Sequence, residues 1–455
     1  MARVVVVGGG FAGMAAACRL SGDGHEVTVL EAAPRLGGRA ASLERRGEMI
    51  DCGQHVLLRA CGAAQGFLER IGASDAVSFQ ESLAIPLLFD RERTVLRSWP
   101  LPGIAHLLPA LLGYRPLSGR ERLAAARAGL TLWVLRSSRQ ETFGQWLERH
   151  GQIERIIRRF WDPIVVATLN APSSAVSFRD ARHVFHEALF VPHGADMGLF
   201  TRPLGDVFEA ARRYLEARDG TIELGSPAEA VSVSGGSARG IRLANGREIA
   251  ADAIVAAVPP DALAELASGV PELARTLSDA QRLTWSPIVN VHLTFDRRVL
   301  EDAFAMGVDS PVQAVFVRST APASAAAASD RQTLVLPQSA AAEWIGQSDD
   351  EIVAELAAAL RDLLPAARAA ELVDSLVLRQ RRATYIPSPG SDALRPKSRT
   401  PIAGLYLAGD WTATGWPSTI ESAVLSGIYA AAALESDGAT CSNPESGIEK
   451  GTSGA

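Results

Sequence analysis

Residues Arg3-Val4-Val5-Val6-Val7-Gly8-Gly9-Gly10-Phe11-Ala12-Gly13 decide how the rest of the chain is read. The four valines form a β-branched run, the mark of a parallel strand buried on both faces. Glycines at 8, 10 and 13 then make a G-x-G-x-x-G. An Ala-rich helical stretch follows from Met14 to Leu20, and a second strand pattern, Glu26 to Leu30, ends at Glu31. Gly8 permits the tight turn, Gly10 lets the backbone approach a pyrophosphate, and Gly13 allows close helix–strand packing. The free N–H groups at the helix start favour phosphate. Glu31 stands where an acid accepts hydrogen bonds from ribose hydroxyls. Strand, glycines, helix, strand and acid together predict an α/β chain with a Rossmann-type dinucleotide-binding domain.

Composition sets the bounds. The 455 residues suggest two or three domains. With 47% hydrophobic and 21% charged residues, wholesale disorder is excluded. The net charge is −6 and no dense basic run occurs, so no nucleic-acid partner is expected. Cys18, Cys52, Cys61 and Cys441 are scattered, which suggests neither a zinc site nor a disulfide framework. His183 and His186 are three apart, but no acid or cysteine at ligand spacing supports a metal site. The N-terminus lacks a signal-peptide pattern, no run is apolar enough to span a membrane, and a cytoplasmic location is expected.

Beyond Glu31 comes Arg35-Leu36-Gly37-Gly38-Arg39-Ala40-Ala41-Ser42. Near the other end, residues 404–430 read GLYLAGDWTATGWPSTIESAVLSGIYA. There a short strand ends at Gly409-Asp410, and Ser418-x-x-Glu421 has the spacing of a capping box opening an apolar helix. Both stretches resemble fingerprints of the FAD-containing amine oxidase and phytoene desaturase superfamily. The resemblance implies FAD as cofactor and an α/β fold with a discontinuous FAD-binding domain and a mixed α+β substrate domain. It places Gly38 and Arg39 along the diphosphate and Asp410 at the ribityl–phosphate part. The last helix aims its start, Pro417 to Ile420, at the flavin. Phe11, Ala12, Ala32, Arg35, Gly53, Gln54, His55, Val231, Gly409, Ser418 and Thr419 join the expected contacts, with Val231 at the adenine. The expected FAD-binding parts are 1–75, 204–270 and 395–435, and the substrate parts are 76–203 and 271–394. Residues 320–330 are expected to form a loop, and 436–455 a fraying tail.

Other stretches resemble one family within that superfamily, hydroxysqualene dehydroxylase, nearly end to end. They are Asp51 to Leu58, Phe160 to Pro163 with Leu169-Asn170, and Ala188-Leu189-Phe190 onward to Pro203-Leu204-Gly205; Arg59-Ala60-Cys61 departs from the family pattern. The resemblance implies a long isoprenoid substrate: hydroxysqualene and reduced flavin give squalene and water in bacterial hopanoid synthesis. Such chemistry needs a proton donor. His55, with Gln54 beside it, and Asp162 are the candidates; Asn170 is expected to be polar lining. Trp411 and Trp416 flank the flavin motif. A carotenoid desaturase would share the cofactor motifs but run the flavin oxidatively. An amine oxidase would need a lysine from the substrate domain, yet the chain has only Lys397 and Lys450. A prenyl-binding protein without redox chemistry would not need intact flavin motifs. No second G-x-G-x-x-G appears, so no NADPH domain is expected and the electron donor is unidentified. Apolar stretches Ile104 to Leu112 and Leu123 to Leu135 suggest peripheral contact with the inner face of the cytoplasmic membrane.

Overall fold

The structure is a computed structural model, which describes residues 1–134, 140–318 and 331–441. The expected loop at 320–330 and all but the first residues of the expected tail lie outside them. Strands β1 (Arg3–Val7), β2 (Glu26–Leu30), β3 (Thr221–Glu223), β4 (Ala253–Ala256) and β5 (Leu405–Leu407) form a parallel sheet in the order β3-β2-β1-β4-β5. The valines of β1 are buried on both faces, because helices pack against one side and the small sheet and helices after β3 against the other. That small sheet is the expected meander, Ala228–Ser234, Ser237–Leu243 and Glu248–Ala250.

Helices α1 (Phe11–Gly22) and α2 (Gly62–Arg70) share one apolar core with the long last helix. Between them and the C-terminus lies α3 (Gly119–Val134). The last helix, α4, runs Ile420–Cys441 and so passes Ser436, where fraying was expected. Two contacts explain the continuation: Asp437 accepts a hydrogen bond from Tyr406 Oη at 2.9 Å and pairs with Arg399 at 3.1 Å.

Gly8 leaves β1 at φ +109°, and a Cβ there would stand 2.4 Å from the Ala257 carbonyl oxygen. A Cβ on Gly13 would stand 1.8 Å from the Gly8 carbonyl oxygen. Only glycine lets β1, α1 and the end of β4 meet this closely. α1 and α4 touch in the same way, since a Cβ on Gly427 would lie 2.2 Å from Ala12 O.

Beside the parallel sheet stands a mixed sheet of seven strands. Its order is Leu372–Tyr385, Trp285–Phe295, Gln332–Gln338, Ala314–Val317, Phe304–Gly307, Ala84–Phe89 and Glu92–Arg97. Helix Asp349–Leu363 covers one face. A helical layer including α3, Phe143–Arg149 and Asp162–Leu169 packs beside its far end.

Two predictions follow from this packing. Gly427→Val forces α1 and α4 apart and should destabilise the protein by about 3 kcal/mol in urea unfolding. His292, 5% exposed on the strand Trp285–Phe295, has no partner for either ring nitrogen among the described residues. Burial, then Arg318 and Arg45, lower its pKa from 6.5 to about 4. The unfolded chain therefore binds the extra proton first. Stability from this group is complete above pH 6.5 and is lost as pH falls toward 4. His292→Leu should retain about 3 kcal/mol more of its neutral-pH stability at pH 4 than the parent chain does.

Candidate active site

A cavity of about 1440 Å³ opens where the two large sheets meet. Its nucleotide side is walled by Gly8, Gly10, Phe11, Ala12, Glu31 and Ala32; the far side by apolar groups such as Leu83, Ile85, Phe304, Met306 and Phe316. The glycines divide into two kinds. Gly8 and Gly13 are crowded, whereas a Cβ on Gly10 would meet only Gly37 O at 3.8 Å, and one on Gly38 only Gly10 Cα at 3.6 Å. Gly10 and Gly38 thus keep a bare backbone cradle at the start of α1, the shape and polarity a diphosphate requires. Glu31 is fixed beside it, accepting from Gly9 N at 2.7 Å and Ala33 N at 2.8 Å. These residues fit a dinucleotide.

The C-terminal motif closes on this cradle through one ion pair. Arg39 Nη1 donates to Asp410 Oδ2 at 3.0 Å and to Ala383 O at 2.7 Å, while Nη2 pairs with the other Asp410 oxygen. Ser418 Oγ donates to the same carboxylate. Arg39, expected along the diphosphate, therefore bridges the first and last motifs and the end of the strand Leu372–Tyr385. Arg395, which no sequence pattern singled out, organises the loop after Asp410. Its buried guanidinium donates to the carbonyls of Asp410, Thr412 and Trp416 and to Thr414 Oγ1.

The expected capping box is built differently. The side chain at the head of α4 that accepts a backbone hydrogen bond is Thr419, from Ser422 N at 3.2 Å. Glu421 instead accepts from Ala63 N at 2.9 Å and Ala64 N at 2.8 Å, capping the neighbouring helix α2. Burial pushes its carboxyl pKa up against those two bonds.

Asn290 was also missed. It accepts from Gln54 N and donates to Cys52 O, both at 3.3 Å, and so fixes the segment carrying Gly53, Gln54 and His55 on the cavity wall. His55 Nδ1 lies 2.9 Å from Gly53 O. A carbonyl only accepts, so Nδ1 carries a proton, and in the neutral ring Nε2 keeps its lone pair. Burial lowers the ring's pKa; Asp51 and the Gly53 contact oppose it. In its neutral form the ring is a hydrogen-bond acceptor or base at Nε2.

Asp162 lines the cavity, with Oδ1 accepting from Ser173 N at 2.9 Å. Asn170 also reaches the wall, but its polar atoms are spent on packing. They bond Ser286 O, Thr384 Oγ1 and Ala340 N, with the backbone at φ +52°. Trp411 is buried and donates to Val258 O at 3.0 Å; Trp416 meets His183 edge-on at 4.8 Å, and both tryptophans line the cavity. Gly409, Pro417, Thr419 and Ile420 stand on the wall with them. Gly13, Arg35 and Val231 do not. Gly13 is packed under Gly8, Arg35 is exposed, and the Val231 side chain is buried in the meander, from which Pro227 and Ala228 reach the wall. Lys397 is exposed and off the wall. His186 Nε2 donates to Leu132 O at 3.1 Å, and among the described residues no cluster of three His, Cys, Asp or Glu could hold a metal ion.

Comparison with known proteins agrees with this geometry. The family model described as flavin containing amine oxidoreductase matches residues 11–434. The chain belongs to this family. It is an FAD-dependent oxidoreductase by family, and FAD is its cofactor. The 15-cis-phytoene desaturase of Glycine max is 26% identical, over 96% of this chain and 80% of its own length. That of Synechococcus elongatus is 25% identical, over 95% of each chain. Among solved structures, an oxidoreductase from Methanosarcina mazei superposes with a TM-score of 0.75 at 20% identity, covering 95% of this chain and 100% of that one. Putrescine oxidase bound to putrescine gives 0.68 at 20% identity, with 96% and 99% covered. The two structures establish the shared fold.

The bridging role of Arg39 is open to test. Arg39→Met strips Asp410 of its cationic partner, leaving Ser418, and should lower FAD retained through gel filtration on the order of tenfold. Arg35→Met, altering an exposed side chain off the wall, should retain FAD like the parent chain.

Proposed function

We propose that this flavoenzyme removes the allylic hydroxyl of hydroxysqualene, giving squalene and water. The observation that carries this reading is the cavity: a space of about 1440 Å³ whose exposed wall is mostly apolar, suited to an isoprenoid chain. FAD bound in its two-electron reduced form would supply the hydride and be left oxidised. His55 Nε2 accepts a hydrogen bond from the substrate hydroxyl and fixes the C–O bond. Asp162 gives the proton that lets the hydroxyl depart as water. The C–O bond breaks, a hydride closes the carbon, and one proton and one hydride are consumed. Apolar walls keep bulk water from capturing the allylic cation.

A second reading has support of its own. The named relatives include carotenoid desaturases, and an unprotonated Nε2 suits a base that takes a proton while hydride leaves the substrate. An amine oxidase reading has no lysine at the wall among the described residues.

Anaerobic incubation separates the two. Enzyme with reduced FAD should convert hydroxysqualene to squalene, identified by mass, and its flavin should reoxidise in step. Asp162→Asn should keep FAD bound and slow this turnover roughly a hundredfold. Bleaching of oxidised enzyme by phytoene, without squalene formation in the first arm, would replace this reading with the desaturase one.

A further inference from the structure

The outer helical layer presents an apolar face where a soluble surface would be polar. On α3 the outward positions are Arg120, Leu123, Arg127, Leu130, Trp133 and Val134, which follow helical spacing. Leu123 is 54% exposed and Leu130 51%. The inward positions Ala125, Ala128 and Leu132 are buried, so both sides of this helix are apolar. The helix Leu108–Leu112 packs beside α3, and Arg122 donates to Leu112 O across the join. It adds Leu112 at 69% exposure, and the preceding loop adds Trp99 at 59%. Trp99 N donates to His106 O at 3.0 Å, tying that loop to the same face.

Charge on the face is one-sided. From residue 97 to 134 the chain has five arginines and one acid, Glu121, which is engaged by Arg155 at 3.2 Å. Arg97, Arg120 and Arg127 are exposed and have no ion-pair partner among the described residues. Arginines interleaved with leucine and tryptophan on one exposed helix face match an anionic lipid surface: apolar side chains enter the acyl boundary and guanidinium groups reach the phosphates. No described helix is long and apolar enough to cross a membrane, so the face would lie on the bilayer.

This face also adjoins the cavity. His106 Nε2 donates to Leu189 O at 2.8 Å, and Leu189 lines the cavity. Leu107 packs in the same small cluster as Leu83 and Ile85, which line it too.

We propose that the face formed by α3, Leu108–Leu112 and Trp99 docks the protein on an anionic bilayer, beside the apolar end of its cavity. The test is sedimentation of the FAD-loaded full chain with phosphatidylcholine vesicles, with and without phosphatidylglycerol. The chain should sediment with the anionic vesicles and be released by salt. Two double variants at exposed positions probe each component: Leu130→Ser with Trp133→Ser, and Arg120→Glu with Arg127→Glu. Each should weaken vesicle binding on the order of tenfold while FAD content and thermal unfolding stay unchanged. Equal sedimentation with both vesicle types, none with either, or a concentration-dependent dimer that these substitutions abolish would each overturn the proposal. Sedimentation needs no turnover, so the outcome is independent of which isoprenoid the enzyme reduces.

Discussion

Arg39 and Asp410 are 371 positions apart and share a two-point ion pair. Everything at the site depends on that meeting. The glycine cradle at the start of α1 is complete only when the loop after β5 is folded over it. Closing so long a loop costs conformational entropy. The pair does not supply the offset alone, since Arg39 is one-third exposed. It is offset by the apolar contact of α1 with α4 and by the alignment of β1, β4 and β5. The ion pair then selects the register in which the two motifs face one another, and Ala383 adds the strand Leu372–Tyr385 to the same junction.

The cradle was legible in the sequence because each of its demands is local. A buried strand needs β-branched residues, a left-handed turn needs Gly8, and close helix approach needs Gly13. Each demand left its own letter. What failed was what depended on distant neighbours. Ser418 and Glu421 have the spacing of a capping box, but spacing does not show that α2 begins nearby without a side-chain cap of its own and takes Glu421. Arg395 gave no signal, because a lone arginine that gathers carbonyls from a loop fifteen to twenty-one residues later follows no periodic pattern. Asn290 was hidden in the same way, as a strand residue whose partners Cys52 and Gln54 lie 238 and 236 positions away.

His55 shows the limit most directly. Its type and position pointed to proton transfer, but its protonation depends on a carbonyl two residues away. Gly53 O fixes a proton on Nδ1, and burial favours the neutral ring. In that form the side chain can receive a hydrogen bond or a proton at Nε2. The fold itself is indifferent to the direction of electron flow. A parallel sheet carries the nucleotide cradle, a mixed sheet and helical layer wall the more apolar side of the cavity, and the polar groups between them decide the chemistry.

The central claim is that both ends of the polypeptide hold one FAD between them. The most direct measurement is the flavin content of the purified chain, read from its absorbance and from the nucleotide released on denaturation. The account predicts one FAD per chain, with neither FMN nor riboflavin able to replace it, because the cradle at Gly10 and Gly38 requires the diphosphate. A colourless chain that folds yet takes up no FAD, or one that binds FMN equally well, would contradict it.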